Sequence, residues 1–164
     1  MEITSDILLK GRAWSKDIDT LGDIFKTRTK YQIFMLSLAI GIMYDKVSDR
    51  DMQSGDEQKS VPRNVISNND NGKLDFFFQA AILSTETENL TEKERLNLAF
   101  GEKSDFNKIA FLTRFANFGV TKLVELIGTS SIETMDNIKN FLFATVEDRN
   151  FELDELPEDF VIEL

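Results

Sequence analysis

The sequence predicts a mainly α protein: a compact bundle of five or six helices around a buried central helix at about 29–43, with a short β element near 61–67. Three observations predict it. In "YQIFMLSLAIGIMYDK", the residues from Ile33 to Met43 carry no charge, although 29% of the chain is charged. Apolar residues recur every three or four positions through "SDFNKIAFLTRFANFGVTKLVELIG", the spacing that stacks side chains on one face of a helix. Thr91 with Glu94, and Ser130 with Glu133, form two capping boxes. A hydroxyl followed three residues later by a carboxylate satisfies the orphan amides of a first helical turn.

Taken in order, Ile18, Leu21, Ile24 and Phe25 predict a helix over 16–25, and "KTRTK" breaks it. Thr27 or Thr29 is placed to cap the next helix, the uncharged one. Apolar side chains fill nearly every position of that helix, so burial on all sides is expected. Its eleven uncharged residues would rise about 16 Å, well short of the roughly 30 Å of a bilayer's hydrocarbon. Ser37 can return its hydroxyl to the helix, and Gly41 lets a neighbour approach closely. A central strut is therefore expected, with a ligand cavity as the alternative. Residues 45–73 are irregular: Gly55, Pro62 and the run Asn68-Asn69-Asp70-Asn71-Gly72 mark loops, and "VPRNVIS" reads as a short strand.

Helices resume at "KLDFFFQAAILS", where Leu74, Phe77, Phe78 and Ala81 share one face that Phe76, Ala80 and Ile82 widen. "LTEKERLNLAFG" follows, ended by Gly101. The long periodic segment runs from Ser104 to Gly128, interrupted in propensity by Asn117 and Gly119. The last helix shows Ile132, Met135, Ile138 and Phe141 on one side. The expected division is a helical domain at 1–146 and an acidic-hydrophobic segment at 147–164.

Charge and composition narrow the chemistry. The net charge is −10, and the last 18 residues hold −7 of it, so overall acidity disfavours non-specific coating of nucleic acid. Residues 10–30 reverse the sign to +3. Lys26, Thr27, Arg28, Thr29 and Lys30 surround the amino end of the uncharged helix, where free amides and the helix dipole favour an anion. They are the candidate anion or nucleic-acid site, with solvated turn residues as the plainer reading. In the tail, Phe151, Leu153, Leu156 and Phe160 are the candidate partner-binding residues; packing of that segment on the body is the alternative.

The chain has no histidine and no cysteine. Imidazole bases, thiol nucleophiles, disulfides and the usual zinc ligand sets are therefore excluded. Neither G-x-x-x-x-G-K-[ST] nor G-x-G-x-x-G occurs. "SNNDNGKLDF" resembles a calcium loop only superficially, because Phe78 stands where the bidentate glutamate belongs. A turn at Asn71-Gly72 is expected instead. Asp45, Asp49 and Asp51 of "YDKVSDRD" are expected to be solvated rather than to hold magnesium. No catalytic residue, metal or cofactor is assigned, and no enzyme activity is expected. Acids at Glu2 and Asp6 before the first apolar patch argue against a secretory signal, and a cytoplasmic bacterial-type protein is expected.

"LGDIFKTRTKYQIFMLSLAIGIMYDK" resembles the opening signature of the small Dnd system-associated proteins, accessory proteins encoded beside bacterial DNA phosphorothioation and phage-restriction genes. "LAIGI" supplies its Ala39 and Gly41 one residue closer than the family's A-x-x-G. "IAFLTRFANFGVTKLVELI" is similar to the second signature through Phe115, Ala116, Asn117, Gly119 and Leu123. The likeness spans about residues 20–142 and contains no catalytic motif. It implies a non-catalytic accessory or adaptor subunit of an anti-phage defence system, acting by protein–protein binding. The alternatives are a DNA-contacting module using the basic helix start, and an acidic DNA-mimic regulator. The expected partners are other protein subunits of such a system, DNA through the local basic patch, or a second copy of the chain. A membrane is not among them.

Overall fold

The computed structural model describes residues 1, 3–25, 30–49, 58–101 and 105–147. Among them are seven α-helices, one π-helical turn and a two-stranded antiparallel sheet. The chain falls into two units, Met1–Ile127 and Gly128–Leu164. The expected tail at 147–164 lies, beyond Glu147, outside the described residues.

The first unit opens with β1 (Ile7–Leu9), which pairs with β2 (Lys59–Val61) in the register Ile7↔Val61, Leu8↔Ser60, Leu9↔Lys59. Alternation puts Ile7, Leu9 and Val61 inside and leaves Leu8 outside. The expected β element is therefore present, centred slightly earlier than 61–67. Pro62 takes an extended backbone as the cap of α3 (Arg63–Asn69), so the rest of "VPRNVIS" is helical. Proline lacks the amide that a ladder needs but suits the edge of a first helical turn.

A π-helical turn (Ala13–Asp17) leads into α1 (Ile18–Phe25). The helix predicted over 16–25 is thus a composite with a wider first turn. That turn seats Trp14 in the core, where its Nε1 donates to Asn117 Oδ1 at 2.9 Å and its ring lies 6.5 Å from that of Phe34. The central helix, α2, spans Lys30–Met43. It buries Tyr31, Ile33, Phe34, Ser37, Leu38, Ile40 and Gly41, while Gln32, Met35, Leu36 and Ala39 remain half-buried. Its side chains are thus covered deeply on one broad face and partly on the other, not uniformly all round. Ser37 Oγ donates to the Ile33 carbonyl at 2.9 Å, which satisfies a hydroxyl that burial would otherwise penalise.

The chief partner of α2 is α6 (Lys108–Glu125), an unbroken helix despite Asn117 and Gly119. Two glycines explain how closely they cross. A Cβ at Gly41 would overlap the Phe115 carbonyl, and a Cβ at Gly119 would overlap the Ser37 carbonyl. Each helix therefore presents a missing side chain to the other's backbone. Phe111, Leu112, Phe115, Ala116, Val120 and Leu123 complete the buried face of α6. An edge-to-face chain of rings continues the core, Phe106 to Phe111 at 5.4 Å and Phe111 to Phe115 at 5.1 Å, with Phe78 5.8 Å from Phe111. Such pairs add about 0.5–1.5 kcal/mol each beyond burial. Asn107, not the expected Ser104, accepts from the Ala110 amide as cap of α6, at 3.0 Å; Ser104 lies outside the described residues.

Between these helices run α4 (Lys73–Ser84) and α5 (Glu92–Phe100). The turn at Asn71-Gly72 forms as expected, both residues taking left-handed backbone at φ 46 and 81. The Thr91–Glu94 capping box is complete. In the second unit, α7 (Ser131–Glu147) starts with a variant of the expected box. Ser130 Oγ accepts from the Glu133 amide at 3.1 Å, but the Glu133 carboxylate accepts from Thr129 N and Oγ1, at 2.7 and 2.6 Å.

Candidate functional site

Of the basic cluster at the start of α2, Lys26, Thr27, Arg28 and Thr29 lie outside the described residues. Lys30 begins α2 half-buried. Nearby, Lys59 Nζ donates to Asp19 at 2.9 Å, and this bond, aided by the charges of Lys59 and Lys30, holds the Asp19 carboxyl below its usual range. The tail candidates Phe151, Leu153, Leu156 and Phe160 also lie outside the described residues.

The loop acids have structural partners. Asp45 accepts from the Glu86 amide and from Thr87 Oγ1, both at 3.0 Å. Asp49 and Glu88 both pair with the Arg114 guanidinium, and the bond to Asp49 is the chief cause that raises the arginine's pKa. These contacts pin the segment after α2 and the α4–α5 turn onto α6. Asp51 lies outside the described residues. Among the described residues, no group of three acids is placed to hold a metal ion. In the turn before α4, Asp70 accepts from Tyr31 Oη at 2.7 Å and from the amides of Leu74 and Gly72 at 2.9 and 3.1 Å. Burial first, then that bond, pushes the Tyr31 phenol up. The calcium-like motif is thus a helix cap tied to α2.

An open depression of about 190 Å³ lies against α2, lined by Phe25, Gln32, Ile33 and Leu36. Small-molecule pockets commonly reach about 300–1,000 Å³, so it is small for a ligand cavity.

Exposed apolar helix faces stand out more. Phe76 is 65% exposed and Leu83 41% on α4; Leu96 is 46% and Phe100 64% on α5. On α7, Ile132 and Phe143 are 77% and 57% exposed, with Met135 and Leu142 also open. Phe76 was expected to widen the buried face of its helix and instead points to solvent. Three successive phenylalanines are turned about 100° from one another, so Phe76, Phe77 and Phe78 cannot share a side; Phe78 alone is fully buried. That turn per residue was the available signal.

Search of family models, of curated proteins and of solved structures finds no match to the chain. No helix among the described residues is long and apolar enough to cross a membrane.

Proposed function

We propose that the chain is a non-catalytic adaptor that works by binding other proteins, as an accessory subunit of a bacterial anti-phage defence system. The observation that carries the binding role is the exposure of large apolar side chains at helical spacing, on α4, α5 and α7. Single exposed apolar residues are ordinary on a protein surface, but contiguous stripes favour a protein partner. The defence context is supported by the likeness of its two sequence blocks to the Dnd-associated family. Residues that carry this likeness, among them Gly41, Phe115, Ala116, Gly119 and Leu123, are buried in the α2–α6 crossing. The likeness therefore speaks for a shared scaffold and leaves the partner surfaces free to differ.

Co-purification of the tagged full chain with the products of neighbouring genes tests the role. A stoichiometric partner is expected, and removal of residues 147–164 is expected to weaken the complex. Recovery of the chain alone from cells expressing those neighbours overturns the adaptor reading. An unchanged complex after the truncation removes Phe151, Leu153, Leu156 and Phe160 from it.

A further inference from the structure

We infer that the outer face of the α4–α5 hairpin is a docking surface for an amphipathic helix of a partner protein whose basic end lies over the α4–α5 turn. This rests on the adaptor reading and names both the surface and the chemistry of what it takes.

The hairpin is antiparallel. Gln79 Nε2 donates to the Ala99 carbonyl at 3.2 Å, while Arg95 at the other end reaches the carbonyls of Ile82 and Thr85. On α4, Leu74, Phe78 and Ala81 face the core, and Phe76 and Leu83, two turns apart, lie on the opposite side. On α5, Ala99 is buried, and Leu96 and Phe100, one turn apart, are exposed. With the helices antiparallel and those inner faces fixed, the two pairs come out on the same outward side. Four large apolar side chains across two helices form the kind of ridged surface on which a helix lays an apolar stripe. Two are phenylalanines, a residue type enriched in interface cores.

The surface is also held in shape before anything binds. The Arg95 guanidinium bonds the carbonyls of Leu90 and Glu88 as well as those of Ile82 and Thr85. The capping box sets the start of α5, and Arg114 ties Glu88 to α6. A preformed face orders less on binding, which favours affinity.

Charge selects the occupant. At the turn end, Glu86, Glu92 and Glu94 are exposed, with Asp45 bonded to the Glu86 amide beside them; the exposed base on α5 is Lys93. At the far end the exposed charged side chain at the start of α4 is Lys73, and no acidic cluster faces it among the described residues of the hairpin. A helix with lysine or arginine at the end that lies over the turn matches this acidic cluster, and a partner acidic at that end is disfavoured.

The test uses the full chain and a labelled amphipathic Leu/Lys peptide of about four helical turns, with its Leu/Glu counterpart, followed by fluorescence anisotropy. The Leu/Lys peptide is expected to saturate at one per chain and to weaken as salt rises. The double variant Phe76→Gln/Phe100→Gln should bind it about tenfold more weakly, and Glu86→Gln/Glu92→Gln should flatten the salt dependence. Ile132→Gln/Phe143→Gln on α7 should leave binding unchanged. Both phenylalanines are largely exposed, so the variant should keep the wild-type circular dichroism and unfolding midpoint; if it does not, Phe100→Gln alone serves. Equal binding by wild type and variant, or equal binding of the Leu/Glu peptide, overturns the proposal. So does a wild-type dimer that the variant dissociates, since a second copy then covers the face. In the co-purification, a complex that survives Phe76→Gln/Phe100→Gln overturns this face and spares the adaptor role. Absence of any complex removes that role, while the peptide titration still decides the face.

Discussion

The α2–α6 pair and the α4–α5 hairpin are both antiparallel-neighbour solutions to helix packing, yet they are held by different forces. The first is sealed by shape. Gly41 and Gly119 admit the opposing backbone, and Phe34, Leu38, Phe115 and Val120 fill the surrounding space. The second is clamped by polar groups, chiefly Arg95 on four carbonyls and Gln79 on Ala99, and it leaves its outer apolar side chains in solvent. The α2–α6 crossing thus buries the faces it brings together, whereas the hairpin, whose inner residues Leu74, Phe78 and Ala81 join the core, keeps Phe76, Leu83, Leu96 and Phe100 in solvent. Substitutions at chemically similar residues should separate the two.

The largest contrast is between two phenylalanines. Phe115→Ala should cost about 3–5 kcal/mol, since a fully buried ring leaves a cavity, whereas Phe76→Ala should stay within about 0.5 kcal/mol. Urea unfolding of both variants measures the difference; similar losses would erase the distinction between the regions. Next come two glycines. Gly119→Ala gains about 1 kcal/mol of helix propensity but forces a methyl into the Ser37 carbonyl, and the clash outweighs that gain, for a net loss of about 2 kcal/mol. Gly22→Ala in α1, where a Cβ meets nothing within 4 Å, should stabilise by about 0.5–1 kcal/mol. Opposite signs in thermal melts are the expected outcome.

Smaller effects concern single polar partners. Asn117→Ala removes the acceptor of the buried Trp14 Nε1 and should cost about 1–3 kcal/mol. Thr91→Ala removes the cap of α5 and should cost about 1 kcal/mol. The smallest is a pH dependence. Hydrogen bonds from Thr91 lower the Glu94 pKa, and those from Thr129 lower that of Glu133. A carboxylate with a depressed folded pKa binds fewer protons in the folded than in the unfolded chain. Its contribution is complete above the ordinary value of about 4.3 and fades as pH falls through the depressed one. The gap in urea midpoint between wild type and Glu94→Gln should thus be present at neutral pH and close in acid; a gap independent of pH would show that the charge of Glu94 is not what caps α5.

The helices expected over 16–25, about 29–43, 73–84, Thr91 to Gly101 and Ser104 to Gly128 were readable because periodicity, caps and breakers are local, although the long one is shorter than expected, at Lys108–Glu125. So was the capping of α5, which depends on two residues three apart. The helix at 63–69 was not, because "VPRNVIS" is too short for its period to distinguish helix from strand. The exposure of Phe76 follows from its angle around α4, which a run of apolar residues does not by itself convey. The basic site at 26–30 and the tail contacts at 151–160 fall, apart from Lys30, outside the described residues, and the pattern of apolar helix faces does not by itself single out α4 and α5.

By itself, the order of residues determined that this chain is mainly helical, where most of its helices start, and that chemistry built on histidine or cysteine is closed to it. Only the tertiary structure decided that Gly41 meets Phe115 and Gly119 meets Ser37, that Arg114 gathers Asp49 and Glu88, and that Phe76, Leu83, Leu96 and Phe100 stay exposed. The physical reason is range. Helix formation and capping act within about four residues, while backbone approach, ion pairing and exposure depend on segments tens of residues apart that meet only when the chain has folded.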